Sequence, residues 1–165
     1  MVLKLSQLFL IGLFSTMILS YCYNFPTDNI DFDMARSEIL NLHNSQREYH
    51  FKKDSIAFAD QLSDNFISVN RGEISTPERA ATISRYNSYF SSVEFNRWDD
   101  VTEPIINFSN DGSMAYTIVD KIVELTYQGQ DGEIINDTTH FAWTAIFKKY
   151  GEEWKIECVT STNKS

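Results

Sequence analysis

The sequence is poor in cysteine, histidine and basic residues, and each shortage argues against a class of function. Two cysteines, Cys22 and Cys158, cannot build a disulfide framework or a four-cysteine zinc site. Only 14 Lys and Arg stand against 23 Asp and Glu, which gives a formal net charge of −9. Such a chain has no basic surface for phosphates, so we expect no nucleic-acid partner. Phosphate-binding glycine loops, nucleophile elbows and zinc signatures are also missing, so we expect no metal and no cofactor.

Linkers and internal repeats are absent as well, which favours one domain. The 165 residues are 42% hydrophobic and 14% aromatic, enough for a single core and too little for two. We predict a signal peptide at residues 1–22, a lead-in at residues 23–32 and one domain at residues 33–163.

The N-terminal segment has the composition of a secretory signal. Lys4 is its single cation, and an uncharged apolar run follows from Leu8 to Leu19. A run of about 12 residues is short for a membrane span, which needs roughly 20. We therefore predict export to the periplasm or the exterior, with no membrane span in the mature chain. An uncleaved membrane anchor is the alternative.

Cys22 raises a second alternative, lipid anchoring. The residues Leu19-Ser20-Tyr21-Cys22 resemble the lipidation box of bacterial lipoproteins. Tyr21 is bulky where that motif has a small residue, so plain cleavage near Ser20 or Cys22 is favoured. Cys158 would then remain as a small core residue in a strand.

The first third of the domain has helical periodicity. From about Asp33, residues Ile39, Leu42, Gln46 and Tyr49 recur at three- and four-residue spacing. The pattern predicts a second short helix with Asp54 as its N-cap and with Ile56, Ala59 and Leu62 on one face, then a short strand at residues 66–69. A third helix is predicted after a turn at residues 70–73, capped by Ser75 or Thr76.

The remainder alternates as strands do. We predict strands at residues 93–99, 104–109, 113–127, 135–149 and 154–162, separated by Gly-containing turns. For the last hairpin, a two-residue turn at Gly151-Glu152 predicts three cross-strand pairs. These are Phe147 with Ile156, Ala145 with Cys158, and Trp143 with Thr160. Helices followed by long antiparallel strands predict an α+β fold.

This order of elements resembles the nuclear transport factor 2-like superfamily, in particular its SnoaL-like branch. Three passages carry the resemblance, over about residues 33–162: Tyr49 followed by Lys53-Asp54, the passage LSDNFISVNRGEISTPERA, and the closing hairpin FKKYGEEWKIE. Lys53 replaces the family's usual Gly. The resemblance implies a cystatin-like cone, in which N-terminal helices pack on a strongly curved antiparallel sheet and leave a pocket.

Catalytic members of that superfamily use a pocket Asp, or an Asp–His pair, to abstract a proton. Where many relatives carry a His near the end of the last strand, this chain has Cys158-Val159-Thr160-Ser161. Asp120 and His43 are the candidate bases that remain. Asp120 is in phase with Tyr116 and Ile118, and it would be a desolvated base if that face lined the pocket.

The alternative is favoured for both candidates. Lys121 and Glu124 indicate a partly solvated strand, so Asp120 is expected to face water and pair with a cation, and His43 is expected at a boundary. Asp99-Asp100 is read as a solvated turn. His140 falls on the polar face of the last hairpin, where it would be a surface or interface residue.

The remaining candidate residues would bind rather than react. In a cone the aromatic side chains could line a ligand cavity, although core packing is the default for such residues. Asn70 would stand at the rim. The predicted pocket residues are Trp143, Tyr86, Tyr116, Phe141 and Asn70.

We therefore expect an exported cone domain that binds a small apolar or amphipathic molecule and forms a homodimer through its sheet. One alternative is a SnoaL-like isomerase, cyclase or dehydratase that uses Asp120 or His43 as base and Tyr86 or Tyr116 as polarising donor. Another is a non-catalytic dimerisation or interaction module. Fold alone does not choose among them.

Overall fold

A computed structural model describes residues 30–164, and the predicted signal peptide and most of the lead-in lie outside these residues. Within these residues, three helices precede most of the sheet: α1 (Phe32–Lys52), α2 (Ser55–Asp60) and α3 (Arg79–Ser92). The seven strands are β1 (Leu62–Asn70), β2 (Glu73–Ser75), β3 (Glu94–Asp100), β4 (Ile105–Phe108), β5 (Met114–Gln128), β6 (Ile134–Tyr150) and β7 (Glu153–Asn163). The α+β prediction is confirmed.

Local sequence accounts for the start of the first two helices. The Asp31 carboxylate accepts hydrogen bonds from the backbone N–H groups of Asp33 and Met34 and so caps α1. The Asp54 carboxylate accepts from the N–H of Ala57 and caps α2 as predicted. Between the two, Lys53 takes a left-handed conformation with φ 57°, which favours Gly and is the place where the family pattern has one.

Two predicted boundaries are wrong. Leu62 begins β1 instead of continuing α2, and neither Ser75 nor Thr76 caps α3. The N-cap of α3 is Glu78, whose side chain makes no capping hydrogen bond. Ser75 is the last residue of β2 and pairs with Ser68 of β1, so α3 begins later in the chain than predicted, at Arg79.

The strands form one mixed sheet in the order β2-β1-β7-β6-β5-β3, and β4 pairs with β5. All pairings are antiparallel except that of β1 with β7, which is parallel. One face of the sheet packs on the helices and is called the inner face here. The other is called the outer face. Inner residues of β5 and β6, such as Ala115 and Phe147, join Ile39 of α1 in a buried core.

The final hairpin has the predicted turn but not the whole predicted register. Phe147 pairs with Ile156 as expected, but an irregularity follows, and Ile146 then pairs with Cys158. The predicted pairs of Ala145 with Cys158 and Trp143 with Thr160 are wrong. Glu157 is the extra residue of a β-bulge, which moves every later residue of β7 by one position.

Candidate functional site

A cavity of about 460 Å³ lies between the inner face of the sheet and the helices. Among the described residues, seven phenylalanine, tyrosine and tryptophan side chains line it: Phe58, Phe66, Tyr86, Tyr89, Trp98, Phe141 and Trp143. Several of them contact one another, for example Trp98 and Trp143 with ring centroids 5.7 Å apart. Ligand cavities are commonly 300–1,000 Å³, so this space suits a small molecule.

The two ends of the cavity differ in polarity. Exposed Asn70 and Arg85 line it where it meets solvent, together with Ser161 at the end of β7. Buried Trp98 and Ile156 lie deeper. Within residues 30–164, no Asp or Glu is among the lining residues. The described lining is therefore mostly apolar, with Arg85 as its cation.

Two polar residues of α1 enter this apolar wall. Gln46 and His50 are one turn apart, so their side chains share a face of the helix. His50 Nδ1 lies 2.6 Å from the backbone O of Gln46. A carbonyl can only accept, so Nδ1 carries the proton and Nε2 carries the lone pair. The His50 ring also stacks on Trp98, with centroids 4.5 Å apart.

Burial keeps His50 and the two tyrosines of the cavity neutral. It lowers the pKa of His50 to about 4, the hydrogen bond to Gln46 opposes this shift, and the Lys121 cation adds to it. Burial raises the pKa of Tyr89 to about 12 and also raises the pKa of Tyr86, where Arg85 opposes it. At neutral pH the imidazole is uncharged and both phenols keep their protons.

A buried charge network contacts two of the aromatic side chains that line the cavity. His43 Nε2 lies 2.8 Å and Lys121 Nζ 2.6 Å from the carboxylate of Asp100. The same Nζ lies 3.6 Å from the centroid of the Trp98 ring and 5.6 Å from that of Trp143. These cation–π contacts hold two aromatic side chains of the cavity in place.

The pKa values in this network reflect its burial. Burial raises the pKa of Asp100, but hydrogen bonds and charge from His43 and Lys121 outweigh it and leave that pKa below its ordinary value. Burial lowers the pKa of Lys121, and the Asp100 carboxylate opposes this. Reading Asp99-Asp100 as a solvated turn was wrong for Asp100, which ends β3 and faces this network. Reading Lys121 as solvated was wrong too, because 2% of its surface is exposed.

Four of the five predicted pocket residues line the cavity: Asn70, Tyr86, Phe141 and Trp143. The fifth, Tyr116, does not. It is 42% exposed on the outer face and its hydroxyl accepts from the amide of Asn107. Alternation along β5 places Ala115 and Thr117 inward, so placing Tyr116 in the pocket was wrong.

Neither candidate base lies in the cavity. Asp120 is exposed on the outer face, in phase with Tyr116 as predicted, and the side chain forms no ion pair with any described residue. The expected cation partner is therefore missing from residues 30–164. His43 is buried but is not among the lining residues, since it faces Asp100. Within the same residues, no group of His, Cys, Asp and Glu is placed to hold a metal ion.

Gln46 and His50 line the cavity but were not predicted as site residues. Gln46 was assigned to the apolar stripe of the first helix, and His50 was given no role in the site. The available signal was the spacing itself, because polar residues at 43, 46 and 50 fall on the buried stripe of a helix.

Comparison with known proteins identifies the fold. No family model and no curated protein matches the sequence. Among solved structures, an NTF2-like (nuclear transport factor 2-like) protein from Cytophaga hutchinsonii is similar, with 17% identity over 78% of this chain and 98% of that one, at a TM-score of 0.63. An uncharacterised protein with a cystatin-like fold from Caulobacter vibrioides shares 15% identity over 80% and 91% of the chains, at 0.63.

A third similar structure is an enzyme. The hexachlorocyclohexane dehydrochlorinase LinA type 2 shares 13% identity over 82% of this chain and 88% of its own, at a TM-score of 0.66. Identities this low show the fold alone.

None of the helices in the described part of the chain is long and apolar enough to cross a membrane. The described part of the chain, three helices on a mixed sheet with a cavity between, has the NTF2-like, cystatin-like cone fold that the family resemblance implied.

Proposed function

We propose that this chain is an exported protein that binds a small apolar or amphipathic molecule inside its cone. The observation that carries the proposal is the aromatic cavity of about 460 Å³, which opens beside Asn70 and Arg85. A cone that serves only as an interaction module has no need of an internal cavity, and its core would pack more tightly if the space were filled.

Catalysis is the second candidate, and one observation favours it. The unprotonated Nε2 of His50 belongs to a residue that lines the cavity, and a dehydrochlorinase shares the fold. A general base works best with a pKa near the working pH, whereas that of His50 is about 4. Asp120 faces away from the cavity and His43 is held by Asp100. Binding without turnover is therefore the better-supported function.

Blocking the cavity from β7 tests the proposal. Ser161 lines the cavity and Thr160, its neighbour, is exposed on the opposite face. Ser161→Trp is expected to weaken the binding of an environment-sensitive naphthalene dye at least tenfold, because the indole fills the mouth. Thr160→Trp adds the same side chain outside and should leave the affinity unchanged. Fluorescence titration measures both, and equal affinities for the two variants would contradict a binding site in the cavity.

Export is proposed from the composition of residues 1–22. Lys4 and the uncharged run from Leu8 to Leu19 support a cleaved signal. Lipid anchoring through Cys22 is the alternative. Intact-mass measurement of the mature protein distinguishes a cleaved chain from one that carries a diacylglyceryl group.

Homodimerisation is proposed through the outer face of the sheet. Four large apolar side chains stand 40–55% exposed there: Ile105, Met114, Tyr116 and Ile118. Ile105 pairs with Ile118 across β4 and β5, and Tyr116 pairs with Ile146 across β5 and β6, so the exposed side chains form one patch. A contiguous apolar patch on a chain of net charge −9 favours a protein partner over solvent.

Ile118→Lys is expected to convert the dimer to a monomer, because it buries an unpaired cation in the contact. The control is Ile74→Lys, which changes a 75% exposed residue of β2 and should leave the dimer intact. Sedimentation equilibrium gives both masses. A wild-type protein that is monomeric throughout the micromolar range would overturn this contact.

A further inference from the structure

We propose that Gln46 and His50 form a hydrogen-bonding subsite that selects ligands with a hydroxyl group on a flat apolar body. The inference rests on the proposed ligand-binding function and narrows the class of ligand. Both residues line the cavity and lie one turn apart on α1. They are the only polar side chains of that helix among the lining residues.

The Gln46 side chain is buried without an internal partner. It is 8% exposed, and its amide makes no hydrogen bond to any residue in the described range, although its backbone O accepts from His50. The amide keeps some contact with solvent at the cavity, so a molecule that displaces water there without replacing its hydrogen bonds costs free energy. The amide borders the cavity, so a molecule in the cavity can supply the missing partner.

His50 presents one acceptor on the same helix face. Its Nδ1 hydrogen is committed to the Gln46 carbonyl, which leaves the lone pair on Nε2. The rings packed around it belong to Phe58, Phe90, Phe95 and Trp98. None of these contacts supplies a hydrogen-bond donor to Nε2. The imidazole is 6% exposed and uncharged at neutral pH. It therefore accepts a hydrogen bond at Nε2 and has no charge with which to attract an anion.

A hydroxyl group satisfies both residues. It donates its hydrogen to His50 Nε2 and accepts from the Gln46 amide, which can turn its NH₂ inward. A carboxylate or a carbonyl can only accept hydrogen bonds. It would place its own lone pair against that of His50 Nε2, and the two would repel each other. An ammonium group only donates, and no carboxylate of the described residues lines the cavity to balance it.

The surrounding wall sets the shape of the rest of the ligand. Trp98 stacks on His50, and Trp143 and Phe141 continue the same wall along β6. Flat rings pack well against such a surface. Phenols and fused-ring alcohols therefore match both the polar pair and the apolar wall.

The test compares 2-naphthol with naphthalene, which differ by the hydroxyl alone. We measure the dissociation constants of both for the wild-type protein, for Gln46→Leu and for His50→Phe. The control is Gln130→Leu, a change in an exposed loop. The ratio of the naphthalene constant to the 2-naphthol constant should fall about tenfold in each cavity variant, the size of one or two lost neutral hydrogen bonds. The control should keep the wild-type ratio.

Each outcome decides a different claim. An unchanged ratio in both cavity variants, with naphthalene still bound, would overturn the subsite and leave the binding cavity standing. Failure of the wild-type protein to bind either probe would overturn the proposed function together with the subsite. Circular dichroism checks that the variants fold, and Gln46→Leu carries the test alone if His50→Phe does not fold.

Discussion

Asp100→Ala is expected to destabilise the protein by about 3–5 kcal/mol, because it leaves the buried Lys121 cation without its carboxylate. Side chains of His43 and Lys121 are 3% and 2% exposed, so neither can turn to water for compensation. His43 also loses its acceptor. The free energy of unfolding from urea titration at pH 7 measures the loss.

Asp120→Ala is the matched control. It removes the same carboxylate from the outer face, where Asp120 is exposed, and should change stability by less than about 0.5 kcal/mol. The double variant Asp100→Ala/Lys121→Met should recover part of the loss, because it removes the stranded cation together with its partner. Equal effects of Asp100→Ala and Asp120→Ala would show that the buried network is not formed.

The second large effect is a stability that depends on pH through His50. Burial lowers the pKa of this side chain from 6.5 to about 4, against the hydrogen bond to Gln46 and with help from the Lys121 cation. Between these values the unfolded chain binds a proton that the folded chain does not bind. The free energy of unfolding therefore decreases as the pH falls from 6.5 towards 4, by an amount on the order of 3 kcal/mol.

The comparison with His50→Phe isolates this contribution. The variant should lack the loss between pH 6.5 and 4, whereas His140→Ala, which removes an exposed outer-face histidine, should keep it. The lowered pKa of Asp100 acts at lower pH and is common to all three proteins. Urea titrations at half-unit steps of pH give the free energy of unfolding as a function of pH. The same pH dependence for the wild type and His50→Phe would contradict a neutral, buried imidazole.

Alternation along the strands was enough to predict most of the aromatic wall. Phe141 and Trp143 share a face of β6 because side chains repeat every second residue, and that face packs on the helices. The same rule grouped Asp120 with Tyr116 and Ile118 correctly. It could not say which face is inward, because both faces of β5 carry apolar residues.

The register of β7 shows a different limit. Pairing from the Gly151 turn is correct up to Phe147 and Ile156, since the turn length fixes it. The bulge at Glu157 then brings Val159 and Ser161 to the cavity side in place of Cys158. The parallel pairing of β1 with β7 is irregular at the same place, and no local pattern predicts either irregularity.

Buried polar residues were the least predictable part of the site. Lys121 lies inside because Asp100 neutralises it and Trp98 covers it, and these partners come from β3. Charge in a sequence usually indicates solvent, so its burial is apparent only when the strands are paired. Gln46 and His50 were misread for the same reason, since their neighbours are distant in the chain.

Native mass spectrometry of the protein purified from its own source measures whether the cavity is occupied. The wild-type protein should carry a small molecule of a few hundred daltons, which is a size that fits about 460 Å³. The bound mass should be lost in Ser161→Trp and kept in Thr160→Trp. A wild-type spectrum with no bound molecule, or one in which both tryptophan variants keep the same bound mass, would contradict a ligand-binding cone.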